Sequence, residues 1–238
     1  MYYYRRLPKF EYVAPQSIGE VSALIGQHQG EARILAGGTI VLHRMKERIS
    51  VRPYVIGLKR VPDLDTIAVE NTGTLRLGSL AGLQEIADAA EVKKNFPLLS
   101  TVCGALGTPQ IRNMGTIGGN VACRFATAET VPALIVLAAK AKIVTGAGEK
   151  LVLVEELYKE LKEGDLITEI RLPVLPPRTN TGYKKFAVRE RLDYATVAAA
   201  VLMTMDGPAC AEIRIGLGGV TLQTMRARAA EDAMKGEG

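Results

Sequence analysis

Paired glycines constrain the fold of this chain more than any other feature of its sequence. Glycine supplies 24 of the 238 residues, above the usual share of about 7%. Because glycine has no Cβ atom, such pairs mark loops whose backbone takes unusual conformations or approaches another group closely. The pairs are Gly37-Gly38, Gly118-Gly119 and Gly218-Gly219. We therefore expect a fold built around a few tightly constrained loops.

The remaining composition is that of an ordinary globular protein. Hydrophobic residues make up 47% and charged residues 23%, which excludes a disordered, collagen-like or disulfide-scaffold chain. The length predicts one large or two small domains, since an average domain has roughly 150 residues. A net charge of +5 suits a solvated surface, a phosphorylated cofactor or an acidic partner. Trp is absent and the basic residues are scattered, so nucleic-acid binding is not expected.

The cysteines and the N-terminus indicate the compartment. Cys103, Cys123 and Cys210 share no CxxC spacing, so neither a disulfide framework nor a zinc site is predicted. Three dispersed thiols also cannot supply the four ligands of an iron–sulfur cluster, and we predict no metal in this chain. The N-terminus MYYYRRLPKF lacks the apolar core of a signal peptide. The apolar stretch 195–205 is shorter than the roughly 18 residues of a membrane span, so a cytoplasmic protein is expected.

The pattern of the first 172 residues predicts alternating helices and strands. A capping box from Ser17 to Glu20 begins a helix that should run to about Gln29, and a buried strand follows at Ala32–Leu35. Further helices are predicted at 83–90, 97–106 and 131–139, and further strands at 54–58, 66–69, 74–77, 141–144, 151–154 and 166–172. This alternation indicates mixed α and β layers.

A proline-rich segment divides the chain. Pro173, Pro176 and Pro177 cannot continue a strand ladder, so we place a linker there and expect domains at 1–175 and 178–238. The second domain is predicted to contain strands at 181–188, 197–206 and 209–216 and a helix at 225–234.

Two glycine segments are candidates for ligand binding. Residues 36–39 (AGGT) follow a predicted strand, so their N–H groups could point toward an anion; a tight turn without a ligand is the alternative. Residues 108–120 are too polar for a core and too glycine-rich for a regular element, which is typical of a binding loop; a long connector is the alternative. The Rossmann and P-loop fingerprints are both absent.

Three motifs together identify a family. LAGGT at 35–39, PQIRNMGTIGGN at 109–120 and DYATVAAAV at 193–201 resemble the FAD-binding (medium) subunits of molybdenum hydroxylases such as xanthine and carbon monoxide dehydrogenase. The resemblance implies an α+β fold. A PCMH-type FAD-binding domain, with subdomains at about 1–60 and 61–175, would precede a small domain with a three-stranded antiparallel sheet and a helix. Relatives usually continue beyond residue 238, so the small domain is expected to be trimmed and completed by a partner.

The resemblance also implies the site residues. The residues expected to wrap the FAD pyrophosphate are Ile34, Leu35, Ala36, Gly37, Gly38, Thr39, Ile40 and Val41. The second phosphate loop would be Thr116, Ile117, Gly118, Gly119 and Asn120. Glu129 would bind the ribose or adenosine, and the flavin ring would be flanked by Leu106, Ile167, Lys185 and Tyr194. For these last four the alternatives are plain core (Leu106 and Ile167) or plain surface (Lys185 and Tyr194). Ile40 and the run Cys123-Arg124-Phe125 depart from the family pattern.

The function implied is electron transfer through a non-covalently bound FAD. Electrons would come from a small partner subunit with two 2Fe–2S clusters, after a large partner subunit has oxidised the substrate at its molybdenum cofactor. They would pass to NAD⁺ or another acceptor, in a complex expected to be a dimer of heterotrimers. No catalytic acid, base or nucleophile is expected from this chain. The alternatives are a self-contained flavin oxidase of the same fold and a non-enzymatic adaptor that has lost FAD.

Overall fold

The computed structural model of the chain describes residues 6–189 and 192–237. Residues 1–5, which contributed to the expectation of no signal peptide, lie outside this range. Within it the strands form three sheets, of three, five and four strands. The mixed α+β architecture predicted from the sequence is confirmed.

A small parallel sheet begins the fold. Its elements are β1 (Glu11–Val13), α1 (Ile18–Gln27), β2 (Ala32–Leu35), α2 (Val41–Lys46) and β3 (Tyr54–Gly57). Strand β3 lies in the middle and pairs in parallel with both β1 and β2. The predicted cap of α1 is present, because Ser17 Oγ accepts from the N–H of Glu20 at 3.1 Å. The Glu20 carboxylate accepts from the N–H of Gln16, one residue earlier than a standard capping box.

A five-stranded antiparallel sheet and its helices form the middle of the chain. The strands are β4 (Ile67–Val69), β5 (Leu75–Gly78), β6 (Lys140–Thr145), β7 (Gly148–Leu153) and β8 (Leu166–Leu172), in the order β4-β5-β8-β6-β7. The helices are α3 (Leu83–Asp88), α4 (Ala90–Asn95), α5 (Pro97–Ala105), α6 (Pro109–Met114), α7 (Ile117–Ala122), α8 (Thr130–Val136) and α9 (Leu157–Glu160). Helix α8 is buried along its whole length, as the apolar run predicted.

The C-terminal sheet has one strand more than the sequence predicted. Its elements are β9 (Thr179–Phe186), β10 (Val197–Asp206), β11 (Ala209–Gly218), β12 (Met225–Arg226) and α10 (Arg228–Met234). The expectation of three strands is corrected to four, because Met225 and Arg226 pair with β11 instead of starting the helix. Arg226 then forms an ion pair with Glu231 at 2.7 Å, which fixes α10 against the sheet.

Two apolar clusters hold these layers together. The larger one joins the five-stranded sheet to α3, α5 and α8 and includes Ala200 and Leu202 of the C-terminal sheet. The smaller one packs Val21 of α1 and Ile56 of β3 against Leu166 at the start of β8.

Membrane-spanning helices and metal-binding clusters are absent from the described residues. No helix in residues 6–189 and 192–237 is long and apolar enough to cross a membrane. Over the same ranges, no group of three or more His, Cys, Asp or Glu side chains is placed to hold a metal ion.

Candidate cofactor-binding site

A cleft of about 840 Å³ opens between the parallel sheet and the middle of the chain. Most of the predicted site residues line it: Ile34, Ala36, Gly37, Gly38, Thr39, Ile40, Val41, Leu106, Thr116, Gly118, Gly119, Asn120, Glu129, Ile167 and Tyr194. Leu35, Ile117 and Lys185 are the predicted residues that do not line it. The sequence therefore indicated residues from distant parts of the chain that the fold brings to one cavity.

The first glycine loop presents free backbone donors to the cleft. It joins β2 to α2, and Gly38 has a φ of +79°, in the left-handed region that favours glycine. The N–H groups of residues 37–41 donate no hydrogen bond to any residue in the described part of the chain. Successive N–H groups of this kind form a concave surface suited to an anion.

The second glycine segment is helical, and the expectation of an irregular loop is wrong. Thr108 and Thr116 cap α6 and α7, accepting from the N–H groups of Ile111 and Gly119 at 3.2 Å each. These caps overcome the poor helix propensity of the glycines. The N–H groups of residues 117–120 all bond within the protein. This segment therefore offers side chains and a close-packed backbone to the cleft, not an array of free N–H groups.

Glycine is required where the two segments meet. A Cβ atom at Gly37 would lie 1.8 Å from the carbonyl oxygen of Met114, and one at Gly118 would lie 2.6 Å from the Cβ of Ser79. A Cβ at Gly119 would be 2.8 Å from Thr116 Oγ1. These distances are shorter than van der Waals contact, so Gly37 can meet the second segment, and Gly118 can meet Ser79, only without a side chain.

Ser79 adds a polar group that the sequence analysis missed. Its Oγ is buried, has no hydrogen-bond partner in the protein, and belongs to a residue that lines the cleft. A buried hydroxyl without a partner costs free energy, so a ligand that bonds to Ser79 would gain affinity. No sequence motif marks this serine, because only the packing against Gly118 brings it to the cleft.

Glu129 and Lys185 form a buried ion pair. Lys185 Nζ lies 2.8 Å from Glu129 Oε1 and donates to the carbonyl of Asp193 at 2.7 Å. Tyr183 donates to Glu129 Oε2 at 3.3 Å. Burial raises the pKa of Glu129, while the hydrogen bonds from Lys185 and Tyr183 oppose this rise. The alternative of Lys185 as plain surface is wrong, because its side chain is only 14% exposed.

The other predicted residues form the walls of the cleft. Leu106 and Ile167 are buried and present apolar surface, whereas Tyr194 is 64% exposed. Thr130 donates to Asn120 Oδ1 at 2.6 Å, which leaves the amide nitrogen of Asn120 as its free donor. Cys123 also lines the cleft, and burial raises the pKa of its thiol, so this thiol stays protonated at neutral pH.

Free N–H donors, a close-packed glycine junction and apolar walls in one cleft are the features of a protein that binds a cofactor with both a phosphate group and an apolar part. Residues 8–175 match the family model of the FAD binding domain in molybdopterin dehydrogenase. Residues 182–238 match the CO dehydrogenase flavoprotein C-terminal domain. The chain belongs to this family and is an FAD-binding oxidoreductase subunit.

Individual relatives agree over nearly the whole chain. The carbon monoxide dehydrogenase medium chain of Hydrogenophaga pseudoflava is 31% identical over 236 residues, covering 97% of this chain and 81% of the relative. The solved structure of carbon monoxide dehydrogenase from the same organism, which lacks the Mo-pyranopterin moiety of its molybdenum cofactor, has a TM-score of 0.94 at 32% identity and covers 98% of this chain and 82% of that chain. Quinoline 2-oxidoreductase from Pseudomonas putida 86 has a TM-score of 0.90 at 29% identity, with coverage of 98% and 81%.

Proposed function

We propose that this chain binds one FAD non-covalently in the cleft and transfers electrons within a molybdenum hydroxylase complex. The observation that carries the proposal is the junction of the two glycine segments, where residues 37–41 present free N–H groups and Gly37 meets Met114 without room for a side chain. An elongated cofactor with a central diphosphate fits this combination of donors and close backbone approach.

Each part of the cleft has a role in this proposal. The N–H groups of residues 37–41 hold the diphosphate, and Asn120 and the packed glycines Gly118 and Gly119 complete its other side. Glu129 accepts from a ribose hydroxyl, and Leu106 and Ile167 exclude water from the flavin ring. Tyr194 covers the ring at the open side of the cleft. Lys185 acts indirectly, because its bond to Glu129 keeps that carboxylate in position.

The complex would divide its chemistry between chains. Bound FAD accepts single electrons and releases them in pairs, commonly as hydride. The chain itself holds the ring, excludes water and presents one open side to a partner. We propose a large molybdenum-cofactor subunit and a small subunit with two 2Fe–2S clusters as partners, in a dimer of heterotrimers in the cytoplasm. Relatives named medium chains of carbon monoxide and glyceraldehyde dehydrogenases support the large and small partner subunits of this proposal.

Acid precipitation of the purified protein tests the cofactor assignment. The protein should be yellow, and acid should release FAD into the supernatant, because neither His28 nor His43 lies in a recognised attachment motif. Colour that stays in the pellet would indicate covalent attachment and favour a self-contained oxidase. A colourless protein that also fails to bind added FAD would indicate an adaptor.

Anaerobic titration of the yellow protein with NADH tests the acceptor. If NAD⁺ is the acceptor, NADH should bleach the flavin absorbance by running the reaction in reverse. Dithionite serves as the control, since it reduces flavin without a specific binding site. Bleaching by dithionite but not by NADH would overturn the assignment of NAD⁺ to this chain.

A further inference from the structure

Three arginines lie together beside the first glycine loop. Arg33 belongs to β2, Arg44 to α2, and Arg52 precedes β3; Arg33 and Arg44 line the cleft. None of the three forms an ion pair with a carboxylate in residues 6–189 or 192–237. Glu163 acts on Arg33 without forming an ion pair, so one carboxylate faces three positive charges, and an anion between them would relieve the remaining repulsion.

The guanidinium groups of Arg33 and Arg44 also have donors to spare. Arg33 donates to Ser50 Oγ at 2.5 Å, but its buried Nε has no partner in the protein. The Arg44 guanidinium donates no hydrogen bond to any residue in the described ranges, and its Cζ lies 5.1 Å from the centre of the Phe125 ring. Phe125 follows α7 and also lines the cleft. The Arg44 guanidinium therefore lies over this ring while its N–H groups stay available.

The charges are close enough to affect one another. Burial lowers the pKa of Arg33, and the positive charges of Arg52 and Arg44 lower it further, whereas Glu163 opposes them. The guanidinium remains protonated at neutral pH. Both cleft arginines flank the N–H array of residues 37–41, one from the strand before it and the other from the helix after it.

We infer that Arg33 and Arg44 form a diphosphate-binding subsite of the cleft, with Ser50 and Phe125 as positioning residues. The inference rests on the proposed function, because the diphosphate it assigns is that of FAD. A guanidinium presents paired N–H groups that match two phosphate oxygens. Two such forks beside the free N–H groups give the diphosphate more donors than the glycine loop supplies alone.

The inference is tested by the affinity of the full chain for FAD. The yellow protein is diluted, and flavin fluorescence, which increases on release, gives the Kd at low and at high sodium chloride. Arg44→Met should weaken FAD binding by roughly 12- to 160-fold, the effect of one lost hydrogen bond to a charged group. It should also reduce the salt dependence of the Kd, because one fewer charge contact is screened.

Matched variants separate charge from structure. Lys46→Met removes an exposed charge from the same helix and should leave the Kd and its salt dependence unchanged. Arg44→Lys should retain the salt dependence of the Kd. Phe125→Leu should weaken FAD binding but also retain the salt dependence, because the charge of Arg44 remains. Thermal unfolding of the FAD-free variants confirms that each folds. A Kd for Arg44→Met equal to that of the parent would overturn the inference.

Competition with ADP identifies the source of the diphosphate. ADP should displace FAD from the parent and do so less effectively from Arg44→Met. Binding of ADP to the yellow protein without release of FAD would mean that the arginines serve a second nucleotide, and would overturn the assignment to the cofactor. If the parent protein binds no FAD, both this inference and the proposed function are overturned. If the parent binds FAD and Arg44→Met binds it equally tightly, only this inference is overturned.

Discussion

Lys185 Nζ lies 2.8 Å from Glu129 Oε1, although the family resemblance places these residues at different parts of the cofactor. Glu129 immediately precedes α8, and Lys185 lies on β9. The ion pair therefore joins the C-terminal sheet to the wall of the cleft. It also neutralises the positive charge that the sequence offered to the flavin ring. Lys185 is thus best regarded as the partner that makes a buried carboxylate at position 129 tolerable.

Replacing Lys185 with Met should destabilise the protein strongly. The Glu129 side chain is 3% exposed, so the substitution leaves a buried carboxylate without its cation. Breaking a buried ion pair from one side typically costs about 3–5 kcal/mol. Urea unfolding of parent and variant measures the difference in free energy of unfolding. The dependence of this free energy on urea concentration is taken to be the same for both proteins.

Two further variants show whether this loss arises from the pair. Lys184→Met removes an exposed lysine from the same strand and should change stability little. The double variant Glu129→Gln/Lys185→Met should be more stable than Lys185→Met alone, because no charge remains buried. A double variant as unstable as the single one would show that Lys185 stabilises the protein through packing and not through Glu129.

The stability contributed by Glu129 should depend on pH. Burial raises its pKa in the folded protein above the usual 4.5, so the unfolded chain loses this proton at a lower pH than the folded protein does. Between the two pKa values the unfolded state binds fewer protons, and the free energy of unfolding falls as pH rises. The difference in unfolding free energy, parent minus Glu129→Gln, should therefore decrease as pH rises from about 4.5 and then level off. A difference that increases over this range would show that the Lys185 bond outweighs burial.

Local pattern was enough to predict the first glycine loop and the elements around it. The Ser17 cap, the apolar strand Ala32–Leu35 and the following glycines are all encoded within a few residues, and the structure forms each of them, although the strand is half-buried and not buried as predicted. The second segment was misjudged because glycine content was weighted above the two threonine caps, Thr108 and Thr116. Strand β12 was missed because two residues carry no periodicity, and only pairing with β11 defines them.

Contacts between distant parts of the chain could not be predicted. Glu129 and Lys185 are 56 residues apart, and no local pattern links an acidic residue before a helix to a lysine on a later strand. Arg33 and Arg44 were likewise counted among scattered basic residues, although the turn between β2 and α2 brings them together. The domain boundary between residues 175 and 178 stays a prediction, since Ala200 and Leu202 share the main cluster with the preceding sheet.

Gly37→Ala should abolish FAD binding. The added Cβ would lie 1.8 Å from the carbonyl oxygen of Met114, so the two segments must separate, and overpacking of this kind costs about 1–3 kcal/mol. The ratio of flavin to protein absorbance in the purified variant measures the effect. Gly182→Ala is the control, because a Cβ there meets nothing within 4 Å. A Gly37→Ala protein with full flavin content would show that the junction does not shape the binding site.

Ser79→Ala should change FAD affinity and the stability of the FAD-free protein in opposite directions. The buried Oγ of Ser79 has no partner in the protein, so removing it should leave the FAD-free protein equally stable or more stable. If the hydroxyl bonds to the cofactor, the same change should weaken FAD binding by roughly 2- to 12-fold, the equivalent of about 0.5–1.5 kcal/mol for a neutral hydrogen bond. Fluorescence titration gives the affinity, and thermal unfolding without FAD gives the stability. Unchanged affinity together with higher stability would place the hydroxyl outside the cofactor contacts, whereas a loss of both would show that Ser79 is needed for the packing against Gly118.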